Sequence, residues 1–206
     1  LKTPLFETTD LSFNTIIQYP DIFVLPDNPT FFVGESGSGK TSLFRMFNRT
    51  LSPDSGNITF RGRDITTYDP ITLRRQVMLV SQSVFLFDQT IKENYKQFYA
   101  FAGIPLISDD EINHYLNLCH IPITLESDCR ILSGGERQRI YLSIFMSFKP
   151  DVLLLDEPTS ALDQENTKIV MENIIQFCGE NAITPLIISH DPHAIDAYAN
   201  TIVRLS

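Results

Sequence analysis

Short apolar runs, each closed by a turn or a polar cluster, alternate along this chain with stretches in which apolar side chains recur at helical spacing. Phe31-Phe32-Val33 predicts a buried strand running into a glycine-rich loop, and Leu43, Met46 and Phe47 then share one face of a helix opening at Thr41. Ile58-Thr59-Phe60 alternates as a strand between the turn cluster at 52–57 and the Arg61-Gly62 turn. Val77-Met78-Leu79-Val80 predicts another buried strand, ending at Ser81-Gln82. Over residues 86–131 the pattern becomes helical, with Ile112, Tyr115, Leu116 and Leu118 at helical spacing and Pro105 and Pro122 as breaks. That stretch reads as an inserted α-helical subdomain. Alternation then returns, with helices over 134–148 and 165–177 and strands over 152–155, 186–189 and 202–205. The order predicts an α/β fold with a mostly parallel sheet that binds ligands at the carboxyl ends of its strands.

Composition narrows the class. A chain of 206 residues supports one substantial core, so residues 1–206 read as a single domain carrying the inserted helices. Only 16 Lys and Arg face 25 Asp and Glu, a net charge of -9, so no nucleic acid is expected as a main partner. The 3 cysteines, Cys119, Cys129 and Cys178, form no CxxC pair, which argues against a disulfide framework or a zinc site and suits a reducing cytosol. No run reaches the roughly 18 apolar residues that a spanning helix needs; the longest candidate, 140–148, is broken by Ser143 and Ser147. Leu1-Lys2-Thr3-Pro4 has no basic segment leading into an apolar core and does not read as a secretory signal.

Candidate chemistry concentrates at strand ends. Gly34-Glu35-Ser36-Gly37-Ser38-Gly39-Lys40-Thr41 fits GxxxxGK[ST] in full, with Ser42 following. Such glycines let the backbone curl around nucleotide phosphates, so that successive N–H groups and the positive helix end face the anion. Lys40 would reach the outer phosphates of ATP and the Thr41 hydroxyl would bind Mg²⁺. Asp156 and Glu157 close the strand at 152–155, where the first carboxylate can hold the metal and the second can deprotonate the attacking water. Alone, Asp-Glu before Pro158 is an ordinary surface turn; the upstream phosphate loop changes that balance. His190 follows the strand at 186–189 and could hydrogen-bond the terminal phosphate or the water. His114, His120 and His193 read as structural or surface residues. Gln82 is by itself a solvated amide, yet at a strand end near Mg²⁺ it becomes a candidate metal contact and sensor. Ser133-Gly134-Gly135 offers a hydroxyl and N–H donors to an anion, or equally a plain helix start with Ser133 as N-cap.

Taken in order, the phosphate loop, Gln82, Leu132-Ser133-Gly134-Gly135-Glu136-Arg137-Gln138, Asp156-Glu157, Ser160-Ala161-Leu162-Asp163 and His190 resemble the ATP-binding-cassette (ABC) ATPases over nearly the whole chain. The resemblance implies a P-loop core with an antiparallel β subdomain and a helical subdomain, and two such subunits packed head to tail around ATP. It gives Ser133, Gly134 and Gly135 a role across the interface, on the γ-phosphate of the partner's nucleotide, with Asp163 of the D-loop coupling the two sites. The resemblance makes Glu157 the general base and His190 the switch histidine. The stretch 83–94 resembles the segment that faces a membrane subunit. The implied partners are a separate transmembrane permease and a second nucleotide-binding subunit, the homodimer being the simpler choice, at the cytoplasmic face of the membrane.

Some positions depart from the family pattern. An adenine-stacking aromatic is expected near Thr15, leaving Tyr19 or Phe13 as substitutes, and Ile144 stands where the helix after the signature usually carries Arg. Residues 14–29 are fewer than usual. Compact size and Leu86-Phe87-Asp88-Gln89-Thr90 resemble the small stand-alone ATPases paired with an iron-export or metal-tolerance membrane protein. A soluble ABC ATPase of translation or DNA maintenance is the competing class. Such relatives typically carry two nucleotide domains or a long coiled-coil insertion.

Overall fold

The computed structural model describes residues 3–205, so the reading of the N-terminus at Leu1 and Lys2 lies outside the described residues. The chain divides into two compact units, one of residues 3–79, 150–157 and 182–205 and one of residues 80–149 and 158–181. The second unit is thus wider than the 86–131 insertion expected from the pattern, because the helix after the signature and the helix after the D-loop both belong to it.

In the first unit, β1 (Phe6–Phe13), β2 (Ile17–Gln18), β3 (Phe23–Val24) and β4 (Thr30–Gly34) lead into α1 (Lys40–Phe47). β5 (Ser55–Phe60), β6 (Arg63–Asp64), α2 (Pro70–Gln76) and β7 (Val77–Val80) follow, Val80 being the first residue of the second unit. The second unit contributes α3 (Ile91–Ala102), α4 (Asp109–Leu118) and α5 (Gly134–Ser147). Next come β8 (Val152–Asp156) in the first unit and α6 (Gln164–Glu180) in the second. The first unit then closes with β9 (Thr184–Ile188), α7 (Pro192–Tyr198) and β10 (Thr201–Leu205).

Two sheets result. One runs β10-β4-β9-β8-β7, with β10, β4, β9 and β8 pairing in parallel, and its β8 and β9 are buried at every position, as strands covered on both faces must be. The other, β2-β1-β5-β6 with β3 also on β1, is antiparallel and supplies the antiparallel β subdomain. Aromatic side chains of α1 join them. Phe47 stacks on Phe6 of β1 at 4.4 Å, and Phe44 meets Phe32 of β4 edge-on at 5.1 Å. Each ring buried in this way contributes about 1.5–3 kcal/mol, so α1 and the loop before it are anchored from both sheets.

Helix starts follow local chemistry. Capping boxes at Thr90/Glu93, Ser108/Glu111 and Ser133/Glu136 open α3, α4 and α5, while Pro70 and Pro192 occupy first turns of α2 and α7. Inside the second unit, the Tyr95 and Tyr99 hydroxyls donate to the Ser143 and Ser147 hydroxyl oxygens at 2.8 and 3.0 Å, pinning α3 to α5. Ile144 lies fully buried between those serines in sequence, an apolar site that would leave an Arg desolvated. No helix among the described residues is long and apolar enough to cross a membrane.

Candidate functional site

β4 delivers the phosphate loop to the carboxyl edge of the parallel sheet, and α1 begins at Lys40, one residue before the position expected from periodicity. Gly39 is its N-cap with φ 85°, and a Cβ there would sit 2.5 Å from the Tyr19 hydroxyl, so both conformation and space require glycine. Among the described residues α1 is the one α-helix whose N-terminus receives no side-chain cap; all the others have a Ser, Thr or Asp there. Its first amides are therefore left for an anion. Ser36 and Gly37 are exposed, as is Glu35, whereas Ser38 and Lys40 are buried and Gly34, Thr41 and Ser42 are half-buried.

Lys40 is held inside its own loop. Its Nζ donates to the Gly34 and Glu35 carbonyls at 2.8 Å each and lies 3.5 Å from Ser38 Oγ. Burial lowers its pKa, against the opposing pull of Glu157 and Asp156. The lysine can exchange these neutral acceptors for phosphate oxygens without moving far, which gives the anion a charge-assisted bond.

β8 and β9 place the acidic and imidazole groups in the same unit. Thr41 Oγ1 donates to Asp156 Oδ2 at 2.9 Å, so the two residues expected to hold a metal already face each other. Asp156 Oδ1 is buried without a hydrogen-bond partner among the described residues, and burial is the main cause that raises the Asp156 pKa. An orphaned carboxylate oxygen beside a hydroxyl fits a hard cation with oxygen ligands. No group of three or more His, Cys, Asp or Glu among the described residues forms a metal cluster, so a cation here would depend on Thr41, Asp156 and oxygens brought by the ligand.

Glu157 adopts φ 50°, a left-handed conformation costing about 1–2 kcal/mol in a non-glycine residue, and its amide donates to the Ile188 carbonyl at 3.0 Å. The turn re-aims the side chain, and Glu157 Oε1 comes to 3.4 Å from His190 Nε2. Three of the sequence-derived residues, Asp156, Glu157 and His190, thereby meet at one sheet edge with the phosphate loop.

The second unit holds the remaining candidates. Gln82 is exposed, just after β7. Ser133 is the N-cap of α5, accepting from the Glu136 amide at 3.3 Å while its own hydroxyl donates to Glu136 Oε2 at 2.7 Å. Both readings of this serine therefore coexist in one residue: the hydroxyl is in a capping box, yet Ser133 and Gly134 are exposed, and a Cβ on Gly134 would meet nothing within 4 Å. Gly135 is different, since a Cβ there would come within 3.0 Å of the Ala161 carbonyl oxygen. Asp163 caps α6, accepting from the Asn166 amide at 2.8 Å and from its side chain at 2.7 Å.

Tyr19, one of the two aromatics considered for stacking on adenine, is buried instead, and its hydroxyl donates to the Gly39 carbonyl at 3.0 Å. Burial pushes its pKa up to about 12. Its ring is used to support the phosphate loop, a role no local pattern announces because the partners are 20 residues apart. Phe13 packs partly buried against the core. Gln138, quoted above only as the end of the signature segment, bridges to the D-loop, which its sequence position did not announce; Asn166 was passed over, although the Asp-x-x-Asn spacing at a helix start was an available signal.

The cost of the buried carboxylate is testable. Asp156→Asn is expected to raise Tm by about 2–4 °C at neutral pH, an increment of roughly 1 kcal/mol. Because the folded pKa of Asp156 lies above the unfolded one, the native state binds the extra proton in the window just above the ordinary carboxylate value. The penalty is thus fully present above the raised pKa and fades as pH falls through it, and the Tm gap should close in acid. Calorimetry over pH checks this; equal Tm values throughout would mean that the buried charge is compensated.

Comparison with known proteins completes the picture. Residues 23–160 match the family described as ABC transporter. The probable iron export ATP-binding protein FetA of Escherichia coli K12 is 36% identical over 175 residues, 84% of this chain and 76% of that protein. The ATP-bound structure of a bacterial Atm1-family ABC exporter superposes with TM-score 0.88 at 24% identity, covering 99% of this chain and 37% of the other. CbiO1 of Clostridium perfringens, part of the ABC transporter complex cbiONQ, does so with TM-score 0.84 at 23% identity, over 100% and 86%. Three other relatives at 34–36% identity are longer proteins, of which the chain spans 13%, 65% and 50%. With the family matched across the phosphate loop, the signature and the Asp156-Glu157 edge, this chain belongs to the ABC transporter family.

Proposed function

We propose that this chain is a single nucleotide-binding domain that binds and hydrolyses ATP to energise a separate membrane-spanning subunit. The observation that carries the reading is the side-chain-uncapped α1 behind residues 34–41, facing the Thr41–Asp156 pair with its orphaned oxygen. Amides of the loop and of α1, together with Lys40, hold the phosphates. Thr41 and Asp156 would hold Mg²⁺, which would neutralise phosphate charge. Glu157 accepts the proton of the attacking water, and His190, in contact with Glu157, fixes its orientation.

Two copies pack head to tail, so that Ser133, Gly134 and Gly135 of one face the γ-phosphate held by the other, with Asp163 beside them. The γ-phosphate gives both subunits a common ligand, and its loss on hydrolysis removes the differential contact that holds them closed. A homodimer is the simplest assembly, since the chain carries both half-sites. It works at the cytoplasmic face of the membrane. The relative whose name is probable iron export ATP-binding protein makes iron the first cargo to test.

Capture tests the reading. Tagged protein carrying Glu157→Gln should retain a multi-spanning protein in stoichiometric amount from detergent-solubilised membranes. The wild-type chain reconstituted with that protein in vesicles should hydrolyse ATP faster than alone. Recovery of ribosomal or DNA-repair proteins without any membrane protein would overturn the transporter reading in favour of a soluble ABC ATPase.

A further inference from the structure

The D-loop and the signature helix lie in the same compact unit and touch through more than one contact. Gln138 of α5 is buried; its Oε1 accepts from the Ala161 amide at 3.1 Å and its Nε2 lies 3.3 Å from Ser160 Oγ. Gly135 approaches the Ala161 carbonyl so closely that any larger residue would push the two apart. One turn farther along α5, Arg139 Nη1 donates to Asn166 Oδ1 at 2.9 Å. Arg139 Nε is buried with no hydrogen-bond partner among the described residues, so the amide of Asn166 is a principal anchor of that guanidinium.

Asn166 faces the other way as well. Its Nδ2 donates to Asp163 Oδ2 at 2.7 Å, and its Oδ1 also lies 3.1 Å from His120 Nδ1. The network leaves only one orientation for the amide, because reversing it would set NH₂ against the guanidinium and oxygen against the carboxylate. In that orientation His120 Nδ1 is the donor. A single side chain thus ties the last residue of the D-loop to the signature helix and to His120, two residues past α4.

We infer that Asn166 is a positioning residue that, with Gln138, clamps the D-loop at 160–163 to the signature helix, so that the two elements addressed to the second subunit move as one body. The inference rests on the ATP-driven dimer proposed above. Asn166 acts by fixing Asp163 relative to Ser133 and Gly134. A loose D-loop would let the γ-phosphate contact form without the coupling contact, which lowers turnover and spares ATP binding to the isolated subunit.

Asn166→Asp separates positioning from folding. The backbone amide that caps α6 is unchanged, the carboxylate still accepts from Arg139 and His120, and a negative charge in the first helical turn is favourable. Only the side-chain bond to Asp163 is lost, replaced by repulsion between carboxylates. In the 206-residue chain, kcat should fall roughly tenfold with KM for ATP within about twofold, at an unchanged Tm, whereas Asn166→Gln should recover part of the rate. In nucleotide-free protein, hydrogen exchange at the Ala161 and Leu162 amides should rise roughly tenfold in Asn166→Asp.

Glu157→Gln serves as the reference for the underlying reading. If that variant stays monomeric with ATP, both alone and with the membrane subunit, the dimer reading fails while the exchange result still judges the clamp. Wild-type exchange and wild-type kcat in Asn166→Asp would overturn the clamp whatever the oligomeric state.

Discussion

Replacing Glu157 by Gln is expected to slow ATP hydrolysis by about 10²- to 10⁴-fold while preserving ATP binding, so that ATP with Mg²⁺ shifts the protein from monomer to dimer. The position of this side chain is set by the backbone. Its amide is held on the Ile188 carbonyl at 3.0 Å and its φ of 50° turns it out of the sheet, and neither depends on the carboxylate. Gln has the same length and shape, and its Oε1 can keep the contact to His190 Nε2, 3.4 Å away in the wild type. What it cannot do is accept a proton from water. Binding energy that normally opens and closes the cycle is then trapped on the closed side. Phosphate release and light scattering on one sample measure both parts. Hydrolysis at the wild-type rate would remove Glu157 as the base.

The second large effect is placed on Ser133. Ser133→Arg is expected to abolish turnover, while the isolated subunit binds ATP within about twofold of the wild-type affinity, since the lost contact belongs to the partner's nucleotide. Its structural cost is separable. Ser133 is the N-cap of α5, and losing such a cap costs about 1 kcal/mol, or about 2–4 °C in Tm for a chain of this size. Ser133→Ala loses the same cap without adding bulk or charge. The two variants should therefore share a lowered Tm, and any further loss of turnover in the arginine variant belongs to the subunit interface. Calorimetry with nucleotide titration of the monomer resolves the terms. Equal loss of monomer ATP binding and turnover would move Ser133 into the subunit's own pocket.

Motifs that fold on themselves are legible in the sequence alone. The strand expected at 152–155, buried throughout, and the GxxxxGK[ST] loop between an apolar run and an amphipathic helix need only neighbouring residues for their recognition. The α-helix starts at Ser133 and Asp163 carry side-chain caps within three residues, so they too were local. Tyr19 shows the opposite case. As a sequence position it looked available for a base, yet the hydroxyl of a buried phenol must find an acceptor, and the Gly39 carbonyl supplies it. The extent of the helical unit was similarly out of reach, since α5 and α6 join it through contacts between residues far apart in the chain.

By itself the sequence determined the α/β class, the phosphate loop, the acidic pair at the end of β8 and the family to which the chain belongs, because each is written in short-range spacing and in residue types that admit few conformations. The tertiary structure decided which groups are already engaged. It put Lys40 on the loop's own carbonyls, left one oxygen of Asp156 unpaired beside Thr41, brought Glu157 to His190 and fastened Asp163 to Arg139 through Asn166. Hydrogen-bond satisfaction and burial are properties of residues brought together from distant positions. Only the packed chain could assign them.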